Sequence, residues 1–218
     1  MLAVAWRTNA WVAPLAVVPL IVIHRSLAVP QLELEARLDP KTGLFNARQF
    51  ARALDEELAR AARFERPLAL LMVDLDHLRD LNNAHGHLAG DAVLLGVADV
   101  FRALLRQYDV AGRFGGEEFA ILLPETSRED AQAMAERIRL TVAATAYDVP
   151  TQTEPVRASV SIGVAEFPLD ARDATSLLHQ ADLAVYRAKM QGRNRVLLAN
   201  PELVAETALA APTAVSLA

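Results

Sequence analysis

The stretch RFGGEEF at residues 113–119, followed directly by AILL at residues 120–123, decides the fold of this chain. Two glycines between two short apolar runs are typical of a tight β-hairpin. Glu117 and Glu118 follow the glycines, and because side chains alternate along a strand, one carboxylate is expected on each side of it. The alternative interpretation is a polar hairpin tip with no further role.

A second predicted strand also leads into acidic residues. The apolar run LALLMV at residues 68–73 is followed at once by Asp74, Leu75 and Asp76. Carboxylate oxygens on rigid strands are the ligands that hard cations prefer, and such cations in turn bind phosphate groups. The strand and the hairpin together predict a site for a divalent cation and a phosphate-bearing substrate.

Composition narrows the class of protein. A chain of 218 residues that is 53% hydrophobic can form one well-buried domain with additional segments at each end. A formal net charge of −5 argues against a general nucleic-acid-binding protein, which would carry a basic face. The chain has no cysteine, which excludes disulfides and thiolate zinc sites. Its only two lysines are Lys41 and Lys189.

Helices and strands are predicted to alternate between residues 39 and 199. Apolar periodicity predicts helices over 47–64, 90–105 and 173–190, and Ser127 begins a further helix that ends near Thr145. Further strands are predicted over 156–166 and 195–198. Because a hairpin interrupts the alternation, we expect an α/β (α+β) sandwich with a mixed, mostly antiparallel central sheet flanked by helices.

Residues 1–26 are predicted to anchor the chain in a membrane. Residues 10–23 carry no charge, and extension back to Leu2 reaches the roughly 20 residues of a membrane span, with Arg7 near the interface. A cleaved signal peptide and a helix packed on a soluble core are the alternatives.

Two further segments flank the predicted domain of residues 39–199. Residues 27–38 are predicted to form a linker helix, because Leu34 and Leu38 lie four residues apart on one face. Residues 200–218 are rich in alanine and contain no aromatic side chain, which predicts a flexible tail.

Several spaced motifs resemble the GGDEF family of diguanylate cyclases, here in the form GGEEF. DPKTGLFN at residues 39–46 resembles the family's opening DxLTGLxN, and residues 74–91 resemble its run DhDxFKxxNDxxGHxxGD. SIG at residues 161–163 and AKMQGRN at residues 188–194 resemble the later blocks. The resemblance covers residues 39–198 and implies a fold of the nucleotidyl-cyclase or palm-like kind.

The family's enzymes condense two GTP molecules into cyclic di-GMP, so the resemblance implies a diguanylate cyclase that works as a head-to-head homodimer. It implies two Mg2+ (or Mn2+) ions per active site, held by Asp74, the Leu75 carbonyl, Glu117 and Glu118. Glu117 also resembles the proposed base for the ribose 3′-hydroxyl. Arg79 stands where the family has a lysine proposed to stabilise the transition state.

Phosphate binding is expected at two places. The backbone N–H groups of His77, Leu78 and Arg79 begin a helix directly after the strand and can hold the β- and γ-phosphates. Lys189 and Arg193 resemble the family's phosphate-binding pair, with a solvated helix end as the alternative interpretation.

Base recognition is expected from Asn82 and Asp91, since a carboxylate can accept from guanine N1–H and its exocyclic amine. Adenine would leave that carboxylate unpaired. Asp91 could instead cap a helix. His87 matches a nucleotide-contacting position of the family. A zinc site at His85 and His87 is discounted, because no second ligand pair stands at zinc-site spacing.

Four positions depart from the family pattern. Arg79 replaces the lysine, Asn83 replaces an aspartate and Leu78 replaces a phenylalanine. Lys41 replaces a leucine in the opening motif, which places a charge where the family packs an apolar group.

An inhibitory site for the product is also implied. Arg106 and Asp109 match the family's RxxD motif, and Arg137 resembles a secondary arginine that clamps a product dimer. The alternative for the RxxD pair is a surface ion pair of little energetic consequence.

Two other functions stay open. One is a weakly active GGDEF module that serves as a GTP or cyclic di-GMP receptor, and the other is a nucleotidyl cyclase of the adenylyl class. The expected location is the inner membrane with the catalytic domain in the cytoplasm, or the cytoplasm alone if the N-terminal segment is a packed helix.

Overall fold

The computed structural model of the protein describes residues 37–149 and 154–200. The predicted anchor at 1–26, nearly all of the linker helix at 27–38 and all but Asn200 of the tail at 200–218 lie outside these ranges. Within them, every helix is too short or too polar to cross a membrane. The described residues from Asp39 onward belong to one compact unit.

From Ala47 onward the elements follow one another in the predicted order, and the short strand Phe45–Asn46 before them was not predicted. Along the described residues they are β1 (Phe45–Asn46), α1 (Ala47–Phe64), β2 (Leu68–Leu75), α2 (Leu78–His85), α3 (His87–Leu104), β3 (Val110–Arg113), β4 (Glu118–Pro124), α4 (Arg128–Ala144), β5 (Val160–Phe167), α5 (Ala174–Met190) and β6 (Val196–Leu198).

The strands form one mixed sheet in the order β1-β3-β4-β2-β5-β6. The pairs β3–β4, β4–β2 and β2–β5 are antiparallel, whereas β1–β3 and β5–β6 are parallel. The predicted fold, a mixed and mostly antiparallel sheet flanked by helices, is therefore confirmed.

β2 lies in the middle of the sheet, and all eight of its residues are buried. Its alternate side chains enter two cores, one with Ala69, Leu71 and Val73 and the other with Leu68, Leu70 and Met72. Helices α3 and α4 contribute to the first core, and α1 and α5 contribute to the second. Because helices cover both faces, the strand is a continuous apolar run without polar alternation.

The acidic ends of the strands differ from the prediction in their bounds. β2 continues through Asp74 to Leu75, because Asp74 pairs with Glu118 on one side and with Ser161 on the other. β4 begins only at Glu118. Glu117 therefore lies in the turn, and the expectation that both glutamates alternate along the strand is wrong.

Two further boundaries differ. α3 begins at His87, with Gly86 as the N-terminal cap residue, rather than at residue 90. Asp91 lies inside the helix, so the interpretation of Asp91 as a helix cap is wrong. β5 begins at Val160, and Val156 forms only an isolated bridge with Tyr147.

Candidate active site

The end of β2 and the glutamate turn meet at one edge of the sheet. Asp74 is the antiparallel partner of Glu118, and the backbone N–H of Leu75 donates to the carbonyl of Glu117 at 3.0 Å. Backbone hydrogen bonds are fixed by the strand register, so the acidic turn is held against the strand end.

Asp74 is a buried carboxylate with one oxygen paired and one oxygen free. Its Oδ2 lies 2.6 Å from Nζ of Lys189 at the end of α5, and only 6% of its side chain is exposed. Its Oδ1 has no hydrogen-bond partner among the described residues. Burial raises the pKa of Asp74 to about 6; Lys189 opposes this shift, and the charges of Glu117 and Glu118 add to it.

This arrangement fits a divalent cation. An unpartnered buried oxygen on Asp74, beside the carboxylates of Glu117 and Glu118, offers the hard oxygen donors that such an ion prefers. Over residues 37–149 and 154–200, no three acidic, histidine or cysteine groups already converge as a metal site. The cation that faces Asp74 is instead the ammonium of Lys189.

Arg113 holds the glutamate turn in place, a role that the sequence did not reveal. Its guanidinium donates to the carbonyls of Gly115 at 3.1 Å and Gly116 at 2.6 Å, and to Oδ1 of Asp39 at 3.2 Å. Burial alone would raise the pKa of Asp39, but the hydrogen bonds from Thr42 and Arg113 together lower it below its usual value. The opening DPKT motif and the hairpin are thereby joined through one arginine.

Asp76, grouped with Asp74 in the sequence, has a different role. Its carboxylate accepts from the hydroxyls of Ser159 and Ser161, both at 2.7 Å, and from the backbone N–H of Asn194 at 3.0 Å. These three donors satisfy the buried carboxylate of Asp76 and connect the loop after α5 to the end of β2.

The predicted phosphate-binding groups lie around this edge. His77 precedes α2, and Leu78 and Arg79 begin it, with Leu78 buried and Arg79 exposed. Lys189 lies in the last turn of α5, whereas Arg193 is exposed in the following loop, where its backbone N–H donates to the carbonyl of Ala188.

The predicted base-recognising groups come together where α2 meets α3. Asn82 lies on α2, and its amide occupies the space that a Cβ at Gly90 would need, so the glycine permits this close approach. Asp91 is the next residue along α3. The Asn82 Oδ1 is buried without a hydrogen-bond partner in the described part of the chain. His87 is exposed in the first turn of α3.

Lys41 faces this second cluster. Its Nζ lies 2.6 Å from Oδ1 of Asp91, across 50 residues of sequence. The ammonium of Lys41, which stands where the family has a leucine, is thus exposed and paired with a carboxylate. It is not placed in an apolar core.

The RxxD residues lie apart from the acidic edge, between α3 and β3. Asp109 accepts the backbone N–H of Arg106 at 2.7 Å, and its Oδ1 is buried without a partner among the described residues. The Arg106 guanidinium donates to the Tyr108 hydroxyl at 3.1 Å, and burial raises the pKa of Asp109. Arg137 on α4 donates to the carbonyl of Leu104 at 3.1 Å.

Comparison with known proteins identifies the family that this chain resembles in sequence and in fold. A family model described as "Diguanylate cyclase, GGDEF domain" matches residues 36–195. Diguanylate cyclase DgcP of Pseudomonas aeruginosa is 40% identical over 166 residues, which cover 76% of this chain and 24% of that protein.

Solved structures share the fold as well. The coiled coil and GGDEF domain of DgcB from Caulobacter crescentus, in complex with c-di-GMP, gives a TM-score of 0.79 at 30% identity, covering 88% of this chain and 100% of that one. The active GGEEF domain of a diguanylate cyclase from Vibrio cholerae gives a TM-score of 0.65 at 31% identity, covering 71% and 97%.

This chain spans about a quarter of the length of DgcP. The family model nonetheless covers well over half of this chain. The chain therefore belongs to the GGDEF domain family.

Proposed function

We propose that the protein is a diguanylate cyclase, which condenses two GTP molecules into cyclic di-GMP and two pyrophosphates. The observation that carries this proposal is the buried, half-paired carboxylate of Asp74 beside Glu117 and Glu118, next to the beginning of α2. A buried anion with a free oxygen costs stability, so its presence at this edge favours a functional role.

Asp74, the Leu75 carbonyl, Glu117 and Glu118 would hold two Mg2+ or Mn2+ ions, which when bound supply positive charge to the α-phosphate and to the departing pyrophosphate. Glu117, in the turn, is proposed to accept the proton of the ribose 3′-hydroxyl. Arg113 keeps that turn in position through its bonds to Gly115 and Gly116.

The triphosphate is proposed to lie against the first turn of α2. The N–H groups of His77, Leu78 and Arg79 have no intrahelical acceptor at a helix start, so they can donate to phosphate oxygens. Lys189 and Arg193 add positive charge from the other side, where the loop bearing Arg193 is held by Asp76 through the neighbouring Asn194. Arg79 retains the positive charge of the family's lysine at an exposed position.

The guanine base is proposed to bind at Asn82 and Asp91, with His87 as a further contact. The carboxylate of Asp91 accepts from N1–H and the exocyclic amine, and the unpartnered amide oxygen of Asn82 has capacity for a donor.

Catalysis requires two such domains, since each 3′-hydroxyl attacks the α-phosphate of the other GTP. We propose a two-fold homodimer, brought together by the linker at residues 27–38 and by membrane anchoring through residues 1–26, with the domain in the cytoplasm. The solved DgcB protein contains a coiled coil as well as a GGDEF domain, which supports a helical linker here.

Product inhibition is proposed at Arg106, Asp109 and Arg137. An arginine can donate two hydrogen bonds to a guanine edge or to a phosphate. An aspartate with an unpartnered oxygen can accept a hydrogen bond from the base. The DgcB structure, solved with c-di-GMP, supports the binding of this ligand by a GGDEF domain.

The alternative is a weakly active module that binds GTP or cyclic di-GMP as a receptor. The exposed Arg79 in place of a lysine favours it, because a planar guanidinium differs in geometry from an ammonium.

One assay separates these functions. The full chain is incubated with magnesium and either GTP or ATP, and the products are identified by mass spectrometry. We expect cyclic di-GMP from GTP only. Tight binding of GTP without any condensation would favour the receptor, and a cyclic mononucleotide would favour the adenylyl class.

A further inference from the structure

The loop that carries Lys41 is held rigidly. The carboxylate of Asp39 accepts from the backbone N–H of Thr42 at 2.8 Å and from its hydroxyl at 2.7 Å. The carbonyl of Thr42, which is buried, accepts from Arg102 of α3, and Arg113 fixes Asp39 from the hairpin. These hydrogen bonds fix the backbone of the loop, and with it the point from which the Lys41 side chain extends.

The ion pair between Lys41 and Asp91 contributes little to stability. Its Nζ–Oδ1 distance is 2.6 Å, but 51% of the lysine side chain and 43% of the aspartate side chain are exposed. Pairs this exposed to water contribute little to folding because solvent screens them. Both side chains are accessible to a ligand. Asp91 directly follows Gly90, against which the unpartnered amide of Asn82 packs.

From this geometry we infer that Lys41 is a specificity-determining residue, which donates a hydrogen bond to the O6 atom of a guanine base bound by Asp91. The inference rests on the proposed function, in which Asp91 accepts from the guanine. It adds a group that the family pattern lacks, since Lys41 stands where that pattern has a leucine.

The chemistry of the guanine edge leads to this role. A carboxylate that accepts from N1–H and the exocyclic amine places one of its oxygens next to O6 of the base. Nζ of Lys41 already donates to Oδ1 of Asp91 and has further N–H donors. An ammonium at that position can bridge Oδ1 and O6. Adenine has an amine instead of O6, so it would meet the ammonium with a donor facing a donor.

The test uses 3′-deoxy nucleotides, which bind but cannot condense because they lack the attacking hydroxyl. Equilibrium affinities of 3′-deoxy-GTP, 3′-deoxy-ITP and 3′-deoxy-ATP are measured with magnesium for the full parent chain, Lys41→Met and Lys41→Arg. Inosine keeps O6 and N1–H but lacks the exocyclic amine. Arg52→Met removes a charge from the exposed surface of α1 and serves as the matched control.

We expect Lys41→Met to weaken 3′-deoxy-GTP and 3′-deoxy-ITP by the same factor, about tenfold for one charged hydrogen bond. The affinity for 3′-deoxy-ATP should stay the same or rise, Lys41→Arg should keep most of the guanine affinity, and Arg52→Met should match the parent.

Three results would overturn the inference. Undiminished 3′-deoxy-GTP binding by Lys41→Met would mean that Lys41 only competes for Asp91. An equal loss for the adenine nucleotide would mean that Lys41 attracts the triphosphate without reading the base. A parent chain that binds none of the guanine or inosine nucleotides would reject the proposed function itself, and this inference with it.

Discussion

Nζ of Lys189 lies 2.6 Å from Oδ2 of Asp74, so the end of α5 is joined by an ion pair to the acidic edge of the sheet. The sequence placed these two residues in separate roles, one as a phosphate-binding cation and one as a metal ligand. Their contact makes the two roles dependent on each other. A divalent cation bound to Asp74 would compete with the ammonium of Lys189 for the same carboxylate.

Replacement of Lys189 by methionine should therefore move two affinities in opposite directions. Without nucleotide, Mn2+ should bind about tenfold more tightly, since the competing charged hydrogen bond to Asp74 is lost. GTP should bind more weakly, because a phosphate-binding cation is gone. Mn2+ titration followed by electron paramagnetic resonance measures the first effect, and weaker Mn2+ binding in the variant would contradict the competition.

The raised pKa of Asp74 predicts a pH dependence of stability in the metal-free protein. Burial raises this pKa from 3.8 to about 6, so the folded state binds more protons than the unfolded state between these values. Stability should therefore fall as pH rises from 4 to 6, by on the order of 1–3 kcal/mol, and stay reduced above pH 6.

The Asp74→Asn variant isolates this contribution, since it cannot titrate. Urea unfolding in EDTA at pH 4, 5, 6 and 7 gives the free energy of unfolding of both proteins, and the difference should grow in favour of the variant across this range. A difference that is independent of pH would rule out titration of Asp74 in the folded state.

Glu117→Gln should abolish turnover while leaving the fold intact. The glutamine keeps the shape of the side chain in the turn but removes its negative charge and its capacity to accept a proton. We expect cyclic di-GMP formation to fall at least a hundredfold. Glu56→Gln, at an exposed position on α1, is the matched control and should retain the parent rate. A Glu117 variant that is nearly as active would remove this residue from the reaction.

Arg113→Lys should lower turnover about tenfold or more with only a small change in the KM for GTP. The guanidinium reaches Asp39 and the carbonyls of Gly115 and Gly116 from three different nitrogens, whereas a lysine has one, so the turn bearing Glu117 should lose its position. Arg60→Lys, in a surface pair with Glu57, should have no effect. Steady-state kinetics of both variants test this, and equal turnover would contradict the positioning role.

Cyclic di-GMP should inhibit the parent enzyme non-competitively with GTP, and Arg106→Ala should relieve this inhibition. The RxxD residues lie between α3 and β3, apart from the acidic edge, so the product can bind there without displacing the substrate. Arg48→Ala, at another exposed position, should remain inhibited. Initial rates over a matrix of GTP and cyclic di-GMP concentrations give the mode of inhibition. Full activity in saturating product would leave Arg106 with a structural role alone, in its contacts with Tyr108 and Asp109.

Elements whose ends carry local signals could be predicted from the sequence alone. Helix α1 has the predicted bounds, because Asn46 accepts the N–H of Gln49 at its start and Glu65 ends it in a left-handed conformation. Ser127 begins α4 in the same way. The predicted start of α3 lies three residues too late, because its N-terminal cap residue is Gly86 and no side chain caps it.

The spaced motifs determined which residues to consider for the site, because a motif depends on residue type and order along the chain. What they could not determine is which side chains meet. Lys41 and Asp91 are 50 residues apart, Arg113 and Asp39 are 74 apart, and Asp76 bonds Asn194 across 118 residues. Such contacts depend on strand register and helix packing, which arise from the whole core. Only the tertiary structure could therefore show that Lys189 contacts Asp74 and that Lys41 contacts Asp91.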